Sequence, residues 1–202
     1  MGNMPPKITG ASDIFQTPKW PIDAILEYIP KKWTVLEPAC GRGHMVRHME
    51  RQGYDVIASD IDTGVDFLNP DTLFVQYDTR PFDCIVTNPP YSIKDEWLTR
   101  CYEIGKPFAL LLPITAIEGK TRHDLYRRFG VDILLLPTRV NYMTPSGSGS
   151  GAWFFSSWFT WGLDLPSPLT FSDVVPPVTA RTGYKCDGTD EMFSQSSEKN
   201  KL

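Results

Sequence analysis

The tetrapeptide Asn88-Pro89-Pro90-Tyr91 stands at the exit of an apolar run, Phe82-Asp83-Cys84-Ile85-Val86-Thr87, that reads as a buried strand. Two consecutive prolines stiffen the backbone and remove two N–H donors. What remains are acceptors, the Asn88 carboxamide oxygen and the Pro89 carbonyl, beside the flat ring of Tyr91. Two acceptors in one turn can converge on an amino group. An aryl or amide NH2 is a poor nucleophile because its lone pair is delocalised; acceptors on its hydrogens favour a pyramidal nitrogen and aim the lone pair at an electrophile. The catalytic effect would come from orientation and preorganised electrostatics. Tyr91 would stack on a planar substrate. Taken alone, the same turn is also a rigid loop with a surface tyrosine.

Two further motifs precede it. Glu37-Pro38-Ala39-Cys40-Gly41-Arg42-Gly43-His44 is a glycine-bearing turn between a strand and a helix, where missing Cβ atoms let the backbone approach a ligand. A purely structural two-glycine turn would look the same. The next strand ends in Ser59-Asp60-Ile61-Asp62, which places a carboxylate about twenty residues past the glycines, where nucleotide-binding sheets position an acid for ribose hydroxyls. Asp60 is the residue expected there, with Asp62 as a turn residue or helix cap.

The elements that must carry these motifs alternate along the chain. Short apolar runs predict strands at Val35–Glu37, Val56–Ser59, Cys84–Thr87, Phe108–Leu112 and Ile133–Leu136, and the stretches between them predict helices at Pro21–Tyr28, Met45–Gln52, Ile93–Gly105 and Glu118–Phe129. This alternation is that of a largely parallel sheet with crossover helices. The aromatic run from Trp153 to Trp161 follows only the Ser146–Gly151 loop, with no helix before it, so it is expected to pair antiparallel with the Ile133 strand. Trp153, Phe155, Trp158 and Trp161 cannot all face one side of a sheet; they are core packing under a helix or an interface. Past Gly162 come Pro166, Pro168, Pro176 and Pro177 and then a polar tail. We therefore expect one domain over 13–162, with 163–202 a proline-rich extension lacking regular structure and ending in disorder.

Composition narrows the function classes. The chain has 202 residues, 41% hydrophobic and 22% charged, enough for one core and too few for two full-sized domains. No apolar stretch approaches the roughly 18 residues of a membrane span, and Met1–Thr9 does not resemble a secretion signal. Cys40, Cys84, Cys101 and Cys186 form no C-x-x-C pair and read as structural thiols in a reducing cytosol. His44 and His48 are a helical turn apart but enclose Met-Val-Arg with no glutamate, so no metal is expected. A net charge of -4 argues against a globally phosphate-binding surface, although Lys120, Arg122, Arg127, Arg128 and Arg139 form a local cluster, either a patch or a solvated helix face.

In their order, Glu37-Pro38-Ala39-Cys40-Gly41-x-Gly43, Asp60 and Asn88-Pro89-Pro90-Tyr91 resemble the motifs of class I S-adenosylmethionine-dependent amino-methyltransferases, particularly small DNA N6-adenine methyltransferases. The likeness covers about residues 13 to 161. Phe15-Gln16-Thr17-Pro18 is similar to the family's Phe-x-Thr-Pro element over the methionine part of the cofactor, and Asp66-Phe67-Leu68 to its Asp-Phe-Leu motif at the cofactor adenine. The resemblance implies a Rossmann-like α/β fold, with a mostly parallel seven-stranded sheet, one antiparallel strand and helices on both faces. It implies S-adenosylmethionine bound by Phe15, Thr17, Pro38, Ala39, Cys40, Gly41, Gly43, Asp60, Ile61, Asp66 and Phe67, and catalysis by Asn88, Pro89, Pro90 and Tyr91. The substrate it implies is adenine in DNA, extruded into the pocket beside Tyr91, in the cytoplasm of a bacterium or phage-infected host. Sequence-reading relatives carry a target-recognition domain, for which this chain has little room, so a homodimer or a specificity partner is expected. A protein glutamine amide or a base in structured RNA is the alternative amine. Carbon-5 cytosine methylation is excluded, since no nucleophilic thiol follows the catalytic prolines.

Overall fold

The computed structural model describes residues 16–71, 81–142 and 154–177. Phe15, Trp153, Cys186, the Ser146–Gly151 loop and the terminal tail lie outside the described residues. In chain order the elements are α1 (Lys19–Leu26), β1 (Thr34–Glu37), α2 (His44–Arg51), β2 (Asp55–Ala58), β3 (Cys84–Thr87), α3 (Lys94–Ile104), β4 (Phe108–Pro113), α4 (Lys120–Phe129), β5 (Asp132–Leu135), β6 (Ser156–Trp161) and β7 (Leu169–Phe171). Short 3-10 turns at Ile61–Thr63, Tyr91–Ile93 and Ile114–Ile117 follow β2, β3 and β4.

The seven strands form one sheet in the order β2-β1-β3-β4-β6-β5-β7. β1 pairs parallel with β2 and β3, and β3 with β4. β6 runs antiparallel between β4 and β5. The arrangement is the Rossmann-like one expected, and every predicted strand and helix is present with its ends within a few residues.

Strand residues point alternately to the two faces, which accounts for the near-continuous apolar runs of a sheet covered on both sides. Val35, Val56, Cys84, Val86, Ala109, Leu111, Leu134 and Trp158 pack with α1 and α2 through Ile22, Ile25, Met45 and Met49. Leu36, Ile57, Ile85, Phe108, Leu110, Leu112, Ile133 and Phe159 pack with α3 through Trp97, Leu98, Cys101 and Tyr102, and with α4 through Leu125 and Tyr126. Each fully buried aliphatic or aromatic side chain contributes about 1.5–3 kcal/mol. Burial also raises the thiols of Cys84, to about 12, and of Cys101. Among the aromatics of the last long strand, Trp158 is core and donates to the Pro21 carbonyl at 2.7 Å. Trp161 packs on Tyr102 and Phe108. Among the described residues of this run, Phe155 is the exposed aromatic.

One expectation is corrected. The chain after Trp161 is not without regular structure: Leu169–Phe171 add β7 parallel to β5, so the sheet continues past residue 162. Thr170 is buried by that pairing, while Leu169 and Phe171 face outward.

Candidate active site

Strands β1, β2, β3 and β4 all end at one edge of the sheet, which in open α/β sheets is where ligands bind. β1 delivers the glycine turn there. Gly41 and Gly43 have φ of +48° and +73°, in the left-handed region that a side chain disfavours. Gln16 lies against this turn, its Nε2 being 3.1 Å from where a Cβ on Gly41 would sit. The segment before α1, with Thr17 buried, therefore reaches back to the glycines. Hydrogen bonds from Ser59 N to the Glu37 carbonyl and from Cys40 N to the Ser59 carbonyl, each 3.0 Å, carry the β1–β2 pairing into the loops. Pro38 is buried; Ala39 and Cys40 are partly exposed.

Asp60 ties two motifs together. Its Oδ2 accepts the Gly41 N–H at 2.7 Å, and its Oδ1 accepts from Asp62 N at 3.0 Å. Asp60, and not Asp62, is thus the cap of the turn at Ile61–Thr63. Ile61 beside it is 69% exposed, an apolar side chain open to a ligand. In the next loop Asp66 accepts from Leu68 N at 2.9 Å. Phe67 turns inward instead, 2% exposed and stacked on Trp97 with ring centroids 4.6 Å apart.

Glu37, at the end of β1, was not singled out from the sequence, although a carboxylate closing a buried apolar strand is itself a signal. Its Oε1 accepts from Thr87 Oγ1 at 2.5 Å and Ala39 N at 3.0 Å. Its Oε2 is buried and has no hydrogen-bond partner among the described residues. Desolvation raises the carboxyl to about 8, against the lowering effect of the Thr87 and Ala39 bonds. A buried acceptor left in this state is costly unless a donor arrives. The same desolvation raises Cys40, with Glu37 and Asp60 adding to it.

Directly after Thr87, the Asn88 Oδ1 is also buried without a partner among the described residues. Pro89 is buried, and Pro90 leads into the Tyr91–Ile93 turn, where Lys94 Nζ donates to the Tyr91 carbonyl at 3.3 Å. The Tyr91 hydroxyl shares a 2.6 Å hydrogen bond with that of Tyr142, which donates to Ser156 Oγ at 2.8 Å. Burial raises Tyr142, opposed by those two bonds, so it stays a protonated donor at neutral pH. The Phe154 ring meets Tyr91 edge-on, centroids 5.6 Å apart. Tyr142 and Ser156 carry no local sequence signal; only the sheet order brings them to Tyr91.

The basic cluster read from the sequence is divided by the fold. Arg122 is buried, donating to the Ala116 carbonyl at 2.9 Å, to the Glu118 carbonyl and to Asp95. Arg127 and Arg128 lie at the far end of α4, away from the site, with Arg128 over Phe129. Lys120 opens α4 on the site side and is exposed, and Arg139 also lies at the site edge, its guanidinium 4.9 Å from the Phe155 centroid. His48 faces Asp23 on α1 at 2.5 Å, and no metal-ligating cluster forms among the described residues. No helix among them is long and apolar enough to cross a membrane.

No family model matches the sequence. No curated protein matches it at a significant level. Among solved structures, the chain is similar to one described as a modification subunit of a type I restriction enzyme from Vibrio vulnificus YJ016, at 14% identity and TM-score 0.45 over 72% of this chain. The chain spans 44% of that subunit's length. It is also similar to the release-factor-specific protein-(glutamine-N5) methyltransferase of Alicyclobacillus acidocaldarius, at 14% identity and TM-score 0.40, covering 79% of this chain and 99% of that one. A third likeness is to a TehB-like SAM-dependent methyltransferase of Corynebacterium glutamicum, at 13% identity and TM-score 0.36, covering 69% and 84%. At such scores these likenesses are coarse, and it is the strand order and the side chains that define the fold and the site.

Proposed function

We propose that this chain is an S-adenosylmethionine-dependent methyltransferase that methylates the exocyclic N6 amine of adenine in DNA. The observation that carries the reading is the Asn88 oxygen, buried and unpartnered among the described residues, in a proline-locked turn at the sheet edge where Glu37 and Asp60 also converge. A buried hydrogen-bond acceptor that no described protein group satisfies is preorganised for a donor that arrives with the substrate.

The residues present fit the cofactor. The orphaned Glu37 Oε2 is an acceptor for an ammonium group, Asp60 has lone pairs left for ribose hydroxyls, and exposed Ile61 offers an apolar face for an adenine. Gly41 and Gly43 allow close backbone approach, with Thr17, Pro38, Ala39 and Cys40 around them and Asp66 at the adenine end, behind which Phe67 is buried against Trp97 and supports that loop from within. Phe15 completes this set in our reading, by its resemblance to the family element. When bound, S-adenosylmethionine supplies an electrophilic methyl group on a sulfonium.

The chain's own part in the reaction is to position the amine. Asn88 Oδ1 and the Pro89 carbonyl accept its two hydrogens and direct the lone pair, Pro90 holds the turn rigid, and Tyr91 stacks on the ring. The proton lost on methylation leaves along one of these hydrogen bonds toward water. No nucleophilic side chain is needed.

The test is incubation with methyl-labelled S-adenosylmethionine and, separately, unmethylated duplex DNA, RNA and a cell protein extract, followed by digestion and product identification. N6-methyladenine in DNA is expected. Label only in protein or RNA would keep the amine chemistry and overturn the substrate; no label in any of them, with no cofactor binding, would overturn the reading.

A further inference from the structure

Four of the exposed large apolar side chains lie on the site edge. Ile61 belongs to the cofactor side. The other three, Ile93, Ile117 and Phe155, flank β3, β4 and β6, which are neighbours in the sheet. Ile93 is in the turn that follows Asn88-Pro89-Pro90, and Ile117, 56% exposed, is in the turn that follows β4. Phe155 enters β6 from the same edge and is fixed there by its carbonyl, which accepts from Ile114 N at 2.8 Å. Its chain neighbour Phe154 touches Tyr91. Phe155 is 47% exposed, with the exposed Arg139 guanidinium over its ring.

We infer that this rim, centred on Phe155 and Arg139, receives the DNA strand next to the extruded nucleotide. The inference rests on the reading of the site as an adenine methyltransferase. An amine inside a duplex is shielded, so its base must leave the stack, and the base beside the gap then exposes an apolar π face. An aromatic side chain at the pocket mouth takes such a face with little regard to sequence. A guanidinium stacked on that aromatic is held with its N–H fork outward, where it fits a phosphate. Ile93 and Ile117 extend the apolar surface toward the gap, as wedging side chains do in proteins that unstack a base step. With a net charge of -4 the chain has no global basic field, so a local cation anchored on an aromatic ring, with exposed Lys120 on the same side of the sheet, is where a phosphate contact can form.

Arg128 over Phe129 supplies a matched control: the same 4.9 Å guanidinium–ring geometry at the opposite end of α4, away from the site. Binding of a fluorescein-labelled duplex is measured by anisotropy across a salt series for wild type, Arg139→Ala, Phe155→Ala and Arg128→Ala. Thermal melting confirms that each is folded, and calorimetry measures cofactor affinity. Arg139→Ala and Phe155→Ala are each expected to weaken DNA binding about tenfold with cofactor affinity unchanged. Arg139→Ala also lowers the salt slope by about one. Arg128→Ala matches wild type. If wild-type protein methylates DNA but the two rim variants bind it as Arg128→Ala does, the rim is wrong and the site reading stands. If wild-type protein methylates only protein, both fall.

Discussion

Thr87 closes β3 and donates a 2.5 Å hydrogen bond to Glu37, which closes the adjacent β1, leaving the other carboxyl oxygen of Glu37 buried without a partner among the described residues. The pair links the glycine turn after β1 to the Asn88-Pro89-Pro90-Tyr91 turn after β3, since Asn88 follows Thr87 directly. Its protonation has a measurable consequence.

Desolvation raises the Glu37 carboxyl from its ordinary 4.5 to about 8 in the folded protein. Between those values the folded state holds a proton that the unfolded state has released, so stability falls as pH rises from about 5 to 8. Urea unfolding of the cofactor-free protein should show this slope, and Glu37→Gln should flatten it. An ammonium group at Oε2 favours the charged carboxylate. Cofactor binding at pH 7 should therefore release a proton, read by calorimetry in buffers of different ionisation heat; Glu37→Gln should abolish the release and weaken binding.

Asn88 and Asp60 should separate turnover from cofactor binding. Asn88→Ala removes an acceptor for the reacting amine and is expected to lower kcat by about a hundredfold or more with cofactor affinity retained. Wild-type single-turnover rates in that variant would refute the site. Asp60 holds Gly41 and caps its own turn, so Asp60→Ala would remove architecture as well as a ribose contact. Asp60→Asn, which keeps one carbonyl acceptor for one of the two backbone N–H groups, is the milder variant, with cofactor affinity expected to drop about tenfold and stability to fall by about 1 kcal/mol, less than in Asp60→Ala.

The sheet and the chemistry-bearing turn were legible because their signals are local. The apolar run Cys84–Thr87 matches β3 residue for residue, and two prolines after a strand admit few backbone paths. β7 was not legible: Leu169-Thr170-Phe171 sits among prolines, and its strand character comes from pairing with β5. Nor was the fate of the arginines, because consecutive basic residues look like one patch until α4 turns Arg122 inward and carries Arg127 and Arg128 to the other edge. Tyr142 meets Tyr91 across 51 residues of sequence, a separation at which periodicity is silent.

Tyr142 should act as a positioning residue for Tyr91. Its hydroxyl is held by Ser156 and in turn holds the Tyr91 hydroxyl, adding a directional restraint to a ring that Phe154 already packs against. Tyr142→Phe removes one oxygen and preserves the packing, for a stability loss of about 1 kcal/mol. We expect a roughly tenfold lower single-turnover rate, unchanged cofactor affinity, and non-additivity with Tyr91→Phe, since both variants break the same bond. Additive losses would show that the two hydroxyls act separately.

Gly119 should prove intolerant of any side chain, despite being exposed. Its φ is +116° with ψ 140°, a region that essentially only glycine occupies, and a Cβ there would sit 2.7 Å from Arg122 Cζ. Arg122 cannot yield freely, because it holds the Ala116 and Glu118 carbonyls after β4 and Asp95 at the start of α3. Gly119→Ala therefore combines backbone strain with displacement of a buried guanidinium, and we expect a loss of about 2 kcal/mol or more in urea unfolding. Because Asp95 and Ala116 stand in the segments that follow the Asn88 turn and β4, turnover should fall more than cofactor affinity. Measured against Arg122→Ala alone, which by itself loses the bonds to Ala116, Glu118 and Asp95, adding Gly119→Ala should cost only the strain term; the full loss recurring in that background would show that the arginine is not what the methyl group meets.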